Sequence, residues 1–230
     1  MVRPAAILFD MDGTLADSFE GIGRALNTAL RETGLPTREL TWVHGHVGRG
    51  MHELVVDAAG PGAAPAVVGE VESRCLAAYR LIFPEQTSPL PGAREVLSWC
   101  HSGTGGRVAV VSNKLSGLSQ EWMRRFDLDR FVALVVGPDT YGVRKPDPGA
   151  VLPVLSRFGV DPADALLVGD MVVDAATGRA AGMSVVGIRQ DGTDAADLRA
   201  AGMQAVLFDL RDLPAWLAGN GVGWATIGRS

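Results

Sequence analysis

The 230-residue sequence has only two cysteines, Cys75 and Cys100, and 6% aromatic residues. Two cysteines cannot build a disulfide framework, and neither lies in a CxxC or Cys/His zinc spacing; they are expected as buried thiols in a reducing compartment. Basic residues are in deficit, 21 Lys and Arg against 26 Asp and Glu for a formal charge of −5, and no block of like charge occurs. That balance excludes the basic footprint of a nucleic-acid binder. No apolar run approaches the ~20 residues that span a bilayer, and Met1-Val2-Arg3-Pro4 leads almost directly into an apolar strand without the features of a signal peptide. The expectation is a cytoplasmic protein with no membrane and no nucleic-acid partner; its oligomeric state is not written in the sequence.

What is present is an ordinary globular composition, 47% hydrophobic and 20% charged. Short apolar runs recur at Ala5 to Phe9, Arg107 to Val111, Phe131 to Val136, Ala165 to Val168, Ser184 to Ile188 and Ala205 to Phe208. Runs that are apolar at successive positions predict strands buried on both faces, as in a parallel sheet covered by helices. Helical spacing lies between them, with Leu118, Trp122 and Phe126 in one segment and Val151, Leu152, Leu155 and Phe158 in another. The fold class expected is α/β, a Rossmann-like doubly wound parallel sheet.

Between Phe9 and Arg107 lies far more chain than one crossover requires, and its apolar spacing is helical: Ile22, Leu26, Ala29 and Leu30; Met51, Leu54, Val55 and Ala58; Val67, Val71, Cys75, Leu76 and Tyr79. Pro89-Leu90-Pro91-Gly92 closes the segment as a stiff linker. The organisation expected is a catalytic core from residues 1–15 and 89–230, with an inserted all-helical cap domain over 16–88. Gly103-Thr104-Gly105-Gly106 precedes a strand and is expected as a turn, and the glycine-rich tail from Gly219 to Ser230 is expected to fray.

Open α/β sheets bind ligands beyond the carboxyl ends of their strands. Asp10-Met11-Asp12-Gly13-Thr14 follows the first run, Ser112-Asn113-Lys114 the second and Gly169-Asp170 the fourth, with Asp174 beyond; Arg144-Lys145-Pro146-Asp147-Pro148 lies between the third and fourth. Clustered carboxylates at a sheet edge need a cation. All-oxygen donors beside a phosphate favour magnesium. Asp10, Asp12, Asp170 and Asp174 with Lys145 and one Mg2+ leave a formal charge of about −1, so Ser112, Asn113 and backbone N–H groups are needed to receive an anion. Taken alone, each piece has an ordinary reading: a turn after a strand for Asp10 and Asp12, a helix cap for Ser112-Asn113, a solvated charge for Lys145, an exposed helical position for Asp174. Their order and their placement at strand ends favour function.

These four motifs resemble the signature set of the haloacid-dehalogenase-like phosphatase superfamily, and the cap position and Val47-Gly48-Arg49-Gly50-Met51 resemble its phosphoglycolate-phosphatase subgroup. The resemblance implies Asp10 as nucleophile forming an aspartyl-phosphate and Asp12 as general acid, then base. It implies Mg2+ held by Asp10, the Asp12 backbone carbonyl and Asp170, with Asp174 a ligand through water or an orienting group. Ser112, Asn113 and Lys145 hold the phosphoryl oxygens in this reading. The substrate implied is a small phosphorylated metabolite such as 2-phosphoglycolate, hydrolysed as a phosphomonoester. Phosphomutase, pyrophosphatase, nucleotidase and a silent phosphate-binding protein are the alternatives. The acid at Asp12 sets the chain apart from dehalogenases that attack carbon. The fourth motif carries Met171 where a hydroxyl residue is usual, which puts the orientation of a metal ligand in question. Arg49 is a candidate contact for the non-phosphate end of the substrate, with a plain surface arginine the alternative. His44, His46 and His52 lie close in sequence without a zinc pattern and are expected as loop or interface residues.

Overall fold

The computed structural model describes residues 3–190 and 193–220. Beyond Asn220, the glycine-rich tail expected to fray lies outside the described residues. In chain order the elements are β1 (Ala6–Phe9), β2 (Ala16–Asp17), α1 (Phe19–Glu32), α2 (Leu40–His46), α3 (Met51–Ala59), α4 (Pro65–Gln86), β3 (Ser88–Pro89), α5 (Ala93–Thr104), β4 (Val108–Val111), α6 (Ser116–Arg125), β5 (Leu134–Val136), α7 (Pro138–Tyr141), α8 (Leu152–Phe158), β6 (Ala165–Gly169), α9 (Val172–Ala181), β7 (Ser184–Ile188), α10 (Ala195–Ala200), β8 (Ala205–Leu207) and α11 (Leu213–Gly219). The chain divides into two compact units, Met1–Ala16 with Pro89–Ser230, and Asp17–Ser88.

The first unit is an α/β fold on a six-stranded sheet of order β5-β4-β1-β6-β7-β8, parallel at every pairing. The apolar runs explain it. Every residue of β1, β4 and β6 is buried, and alternate side chains of a strand point to opposite faces, so both faces must be covered. Leu8, Val111, Leu167 and Val185 join Val151, Val154, Leu155 and Leu198 in one core layer. Full burial of such a side chain contributes ~1.5–3 kcal/mol, which makes the central strands the most heavily stabilised part of the unit. The glycines of Gly103-Thr104-Gly105-Gly106 end α5: Gly105 and Gly106 take φ of 64° and 85°, and Gly106 N–H donates to His101 C=O at 2.8 Å.

At two of the runs, local contacts explain where the strand stops short. Phe131 to Val136 was expected as one strand, but Asp129–Phe131 is a 3-10 turn, with Phe131 N–H bonded to Leu128 C=O at 3.0 Å and Val132 N–H to Asp129 C=O at 3.2 Å. Those local bonds take the donors a ladder would need. Phe208 also lies past its strand, 70% exposed, with the Arg189 guanidinium 5.5 Å from its ring centroid.

The second unit is helical. In α1, Phe19, Ile22, Leu26, Ala29 and Leu30 form a buried stripe, and that stripe packs against α4. Opposite it, Arg24 pairs with Glu20 at 2.7 Å in water, an i,i+4 contact worth a few tenths of a kcal/mol. Helix α2 was not anticipated, because its seven residues bury only Val43 and leave too short a periodic signal. Both cysteines are free and buried, and burial pushes the Cys75 thiol up to about 12. Among the described residues no helix is long and apolar enough to cross a membrane.

Candidate active site

Register sets the site. Phe9 pairs with Val110 on one side and Val168 on the other, so Asp10 and Gly169-Asp170 emerge side by side at the carboxyl edge. The connection from β1 runs to β4 on one side, and that from β6 to β7 on the other. The boundary between β1 and β6 is therefore the topological switch point, where open α/β sheets form their ligand crevice.

After β1 the chain must turn at once. Gly13 takes φ 80°, a conformation in which a side chain would be strained. The N–H groups of Thr14, Leu15 and Ala16 all donate to Met11 C=O, at 3.2, 2.9 and 2.9 Å. This closed turn carries Asp10 and Asp12 outward and turns Thr14 inward, fully buried. The Thr14 hydroxyl donates to Asp170 Oδ1 at 2.9 Å, while Asp170 Oδ2 is buried with no hydrogen-bond partner.

Lys145 is buried and places its ammonium 2.9 Å from Asp10 Oδ1 and 2.6 Å from Asp174 Oδ1. Met11 N–H also donates to Asp10 Oδ1, at 2.7 Å. Burial, opposed by Lys145 and reinforced by Asp174, pushes the Asp10 carboxyl up to about 6. Asp170 is raised too, first by burial and then by Asp10 and Asp174. Burial alone would lower Lys145, but Asp10 and Asp174 outweigh it and hold the lysine above its ordinary range. The lysine is cationic, and the carboxylates around it outnumber it.

Asp10, Asp170 and Asp174 each bring one carboxylate oxygen within 4.8 Å of the others, all buried. Three such groups around one ammonium, two of them with raised proton affinity and one with an orphaned oxygen, form a donor set that fits a hard divalent cation. Asp174 is aimed from α9 through the backbone: its Oδ2 accepts from Met171 N–H at 3.0 Å. Position 171 thus orients Asp174 with a main-chain donor that any residue but proline supplies, which answers the question raised by the missing hydroxyl. Gly169 permits the approach, since a Cβ there would lie 2.3 Å from Asp174 Cγ.

Ser112 stands buried at the end of β4, its N–H on Val136 C=O at 3.0 Å. Asn113, expected as a phosphate donor, also contacts the lysine loop. Its Nδ2 donates to Lys145 C=O at 3.0 Å and its Oδ1 accepts from Lys145 N–H at 2.8 Å. A side-chain amide engaged at both ends with the lysine backbone braces the lysine loop. Two residues without an expected role also enter the site. One is Thr14, whose signal was its place in the first motif. The other is Lys114, whose Nζ lies 2.5 Å from Asp12 Oδ1. Lys114 follows Ser112-Asn113 directly, and its cation brings the four carboxylates plus one divalent ion to formal neutrality, where −1 was expected.

In the helical unit, Arg49 pairs with Asp57 of α3. His44 stacks on Phe19 at 4.3 Å, His46 on Trp42 at 3.8 Å, and His52 Nδ1 lies 2.8 Å from Glu72. The three histidines have separate partners and form no common donor set.

Residues 7–188 match the haloacid dehalogenase-like hydrolases. The chain belongs to that family. It is 32% identical to a phosphoglycolate phosphatase of Pseudomonas putida over 214 residues, covering 91% of this chain and 78% of that protein. It is 34% identical to a phosphoglycolate phosphatase of Rhodospirillum rubrum over 221 residues, covering 93% and 91%. Among solved structures, a family hydrolase from Deinococcus radiodurans with bound phosphate and sodium superposes with a TM-score of 0.74 at 26% identity, over 98% of this chain and 100% of that one. As a haloacid dehalogenase-like hydrolase, the chain keeps the family's α/β core, with the buried carboxylate cluster at its switch point.

Proposed function

We propose that this hydrolase is a magnesium-dependent phosphatase that cleaves a small phosphomonoester through an aspartyl-phosphate on Asp10. The observation that carries the reading is the pairing of a buried carboxylate cluster, Asp10, Asp170 and Asp174, with a second acid two residues after Asp10 on the same turn. A nucleophile that attacks phosphorus benefits from such an acid, because an alkoxide is a poor leaving group without a proton.

Asp10 Oδ1 holds Lys145 and the Met11 N–H, which leaves Oδ2 to attack phosphorus in line. As the P–O bond to the leaving group breaks, Asp12 gives that oxygen a proton. The resulting carboxylate then takes a proton from water; the hydroxyl oxygen bonds to phosphorus and Asp10 is expelled, giving inorganic phosphate. An ammonium has three donors, so Lys145, with Asp10 and Asp174 each taking one, has a third for a phosphoryl oxygen, beside the Ser112 hydroxyl. Magnesium would be held by Asp10, Asp170 and the Asp12 backbone carbonyl, with Asp174 beside them, and when bound it supplies positive charge to the phosphoryl oxygens.

The relatives' phosphoglycolate phosphatase activity makes 2-phosphoglycolate the first substrate to try. The test is phosphate release from 4-nitrophenyl phosphate, and then from a panel of phosphorylated metabolites that includes 2-phosphoglycolate, with magnesium and with a chelator. Turnover that requires magnesium and ends in free phosphate is expected. Turnover indifferent to chelation, or a labelled phosphoryl group appearing on a second substrate hydroxyl, overturns the reading.

A further inference from the structure

We propose that Asn113 is the positioning residue of Lys145: its side-chain amide holds the lysine backbone, so that the ammonium reaches the phosphoryl group from a fixed base. This rests on the reading of the site as a phosphatase in which Lys145 receives a phosphoryl oxygen. Asn113 Nδ2 donates to Lys145 C=O at 3.0 Å and Oδ1 accepts from Lys145 N–H at 2.8 Å, both bonds buried. One side chain thus pairs with the donor and the acceptor of a single residue, as a neighbouring strand residue does in a ladder.

The two bonds join a rigid element to an irregular one. Asn113 comes two residues after β4, which is paired with β1 on one side and β5 on the other, and Ser112 N–H closes on Val136 C=O at 3.0 Å. Lys145 lies outside any strand, between α7 and a 3-10 turn at Pro148–Ala150, and Pro146 after it has no N–H to give. Within that stretch Asp147 N–H donates to Arg144 C=O at 2.9 Å, a local bond that shapes the turn without tying it to the sheet. Asn113 makes such a tie, across 32 positions of chain. Ser112 precedes it directly, so the hydroxyl and the ammonium that receive phosphoryl oxygens are held from one strand end.

A lysine gains from such a brace because its ammonium ends a flexible four-carbon stem. The tip of that stem is held by Asp10 Oδ1 at 2.9 Å and Asp174 Oδ1 at 2.6 Å. The first of these contacts changes during the reaction. As Asp10 bonds to phosphorus and the leaving group departs, the carboxylate becomes an acyl group, its charge is lost and its ion pair with Lys145 weakens. The base of the stem does not share that change, since an amide and a peptide group carry no charge to lose. Asn113 therefore keeps the ammonium aimed at the phosphoryl oxygens while one of its two counter-ions is being consumed. Donors that are already in place accelerate such a step most.

The test is a double-mutant cycle on kcat/KM for 4-nitrophenyl phosphate with magnesium present. Lys145→Met should lower the value at least about 100-fold, and Asn113→Ala about 10–100-fold. The double variant should stay within about threefold of Lys145→Met alone, because a brace has no effect on an ammonium that is absent. In a Ser112→Ala background, by contrast, the loss from Asn113→Ala should persist to within about threefold. Three results overturn the proposal: a loss below about threefold for Asn113→Ala alone, a further loss above about threefold in the Lys145→Met background, or a loss that vanishes in the Ser112→Ala background as well. The second is the signature of an amide that touches the phosphoryl group itself, or of a smaller active fraction. Asn113→Ser and Lys145→Gln take over the comparison where the first variants do not fold. Lys145→Met is also the separate control: if it keeps wild-type turnover, the phosphoryl role of Lys145 fails and the inference falls with it, whereas a loss there without one in Asn113→Ala refutes the brace alone.

Discussion

Replacing Lys145 with methionine should uncover the charge imbalance of the site as a pH-dependent loss of stability. The wild-type lysine is buried between Asp10 and Asp174 at 2.9 and 2.6 Å. Removing one partner of a buried ion pair costs about 3–5 kcal/mol, against a total stability of about 5–15 kcal/mol. The sign with pH follows from Asp10, whose carboxyl burial raises from 3.8 to about 6. Between those values the folded metal-free protein binds more protons than the unfolded chain, so its stability falls as pH rises through the window, by about 3 kcal/mol for that one group. Lys145→Met withdraws the cation that holds the Asp10 carboxyl down, so the folded Asp10 carboxyl climbs further. The added penalty is then full at pH 8, where Asp10 is forced to ionise, and relieved at pH 5, below its raised value. Urea unfolding with a chelator present should give a difference from wild type of about 3–5 kcal/mol at pH 8, shrinking to about 1–2 kcal/mol at pH 5. A difference below about 1 kcal/mol at pH 8, or one that does not change with pH, refutes the account of the lysine as the counter-charge of the cluster.

Asp10→Asn should abolish phosphate release yet leave the metal-free protein more stable than wild type at pH 8, by about 1–3 kcal/mol in urea, because an amide does not have to ionise in that environment. Thr14→Val removes the hydroxyl on Asp170 Oδ1; it should cost about 1–3 kcal/mol in urea and weaken magnesium activation about 10–100-fold in a metal titration. Met171→Ser should leave the magnesium dependence of turnover well inside that tenfold threshold, since Asp174 is oriented by the Met171 N–H, and its cap hydroxyl should raise the melting temperature slightly.

The α/β class was legible because the apolar runs are uninterrupted, and a strand buried on both faces has no room for the polar half of an alternation. Strand ends were less legible where local hydrogen bonds compete, as at Asp129–Phe131, or where a ring finds a cation in place of the core, as at Phe208. The order that sets β6 beside β1 is a tertiary fact, and so are the contacts that depend on it. Thr14 meets Asp170 across 156 positions of chain and Asn113 meets Lys145 across 32. An amide beside a strand end is chemically suited to hold an anion or a backbone, and the backbone contact appears only once Lys145 is placed. Lys114 was hidden for the same reason. A lysine after a strand resembles a solvated charge until Asp12 is placed beside it.

Electrostatics ties these details together. A sheet edge that buries Asp10, Asp170 and Asp174 with one lysine among them is unfavourable in itself, and the proton affinity of Asp10 and Asp170, raised first by burial and then by the neighbouring carboxylates, is the form that cost takes. Protons could relieve it, but a protonated Asp10 is no nucleophile. A divalent cation relieves it while leaving Asp10 ionised, and the orphaned Asp170 Oδ2 is where such a charge is missed most. The two lysines divide the remaining work by position: Lys145 lies inside the carboxylate cluster and Lys114 at its margin on Asp12. With a dication the arrangement is formally neutral, so an incoming phosphate meets aimed donors and no net repulsion. That is the condition under which preorganised groups accelerate phosphoryl transfer.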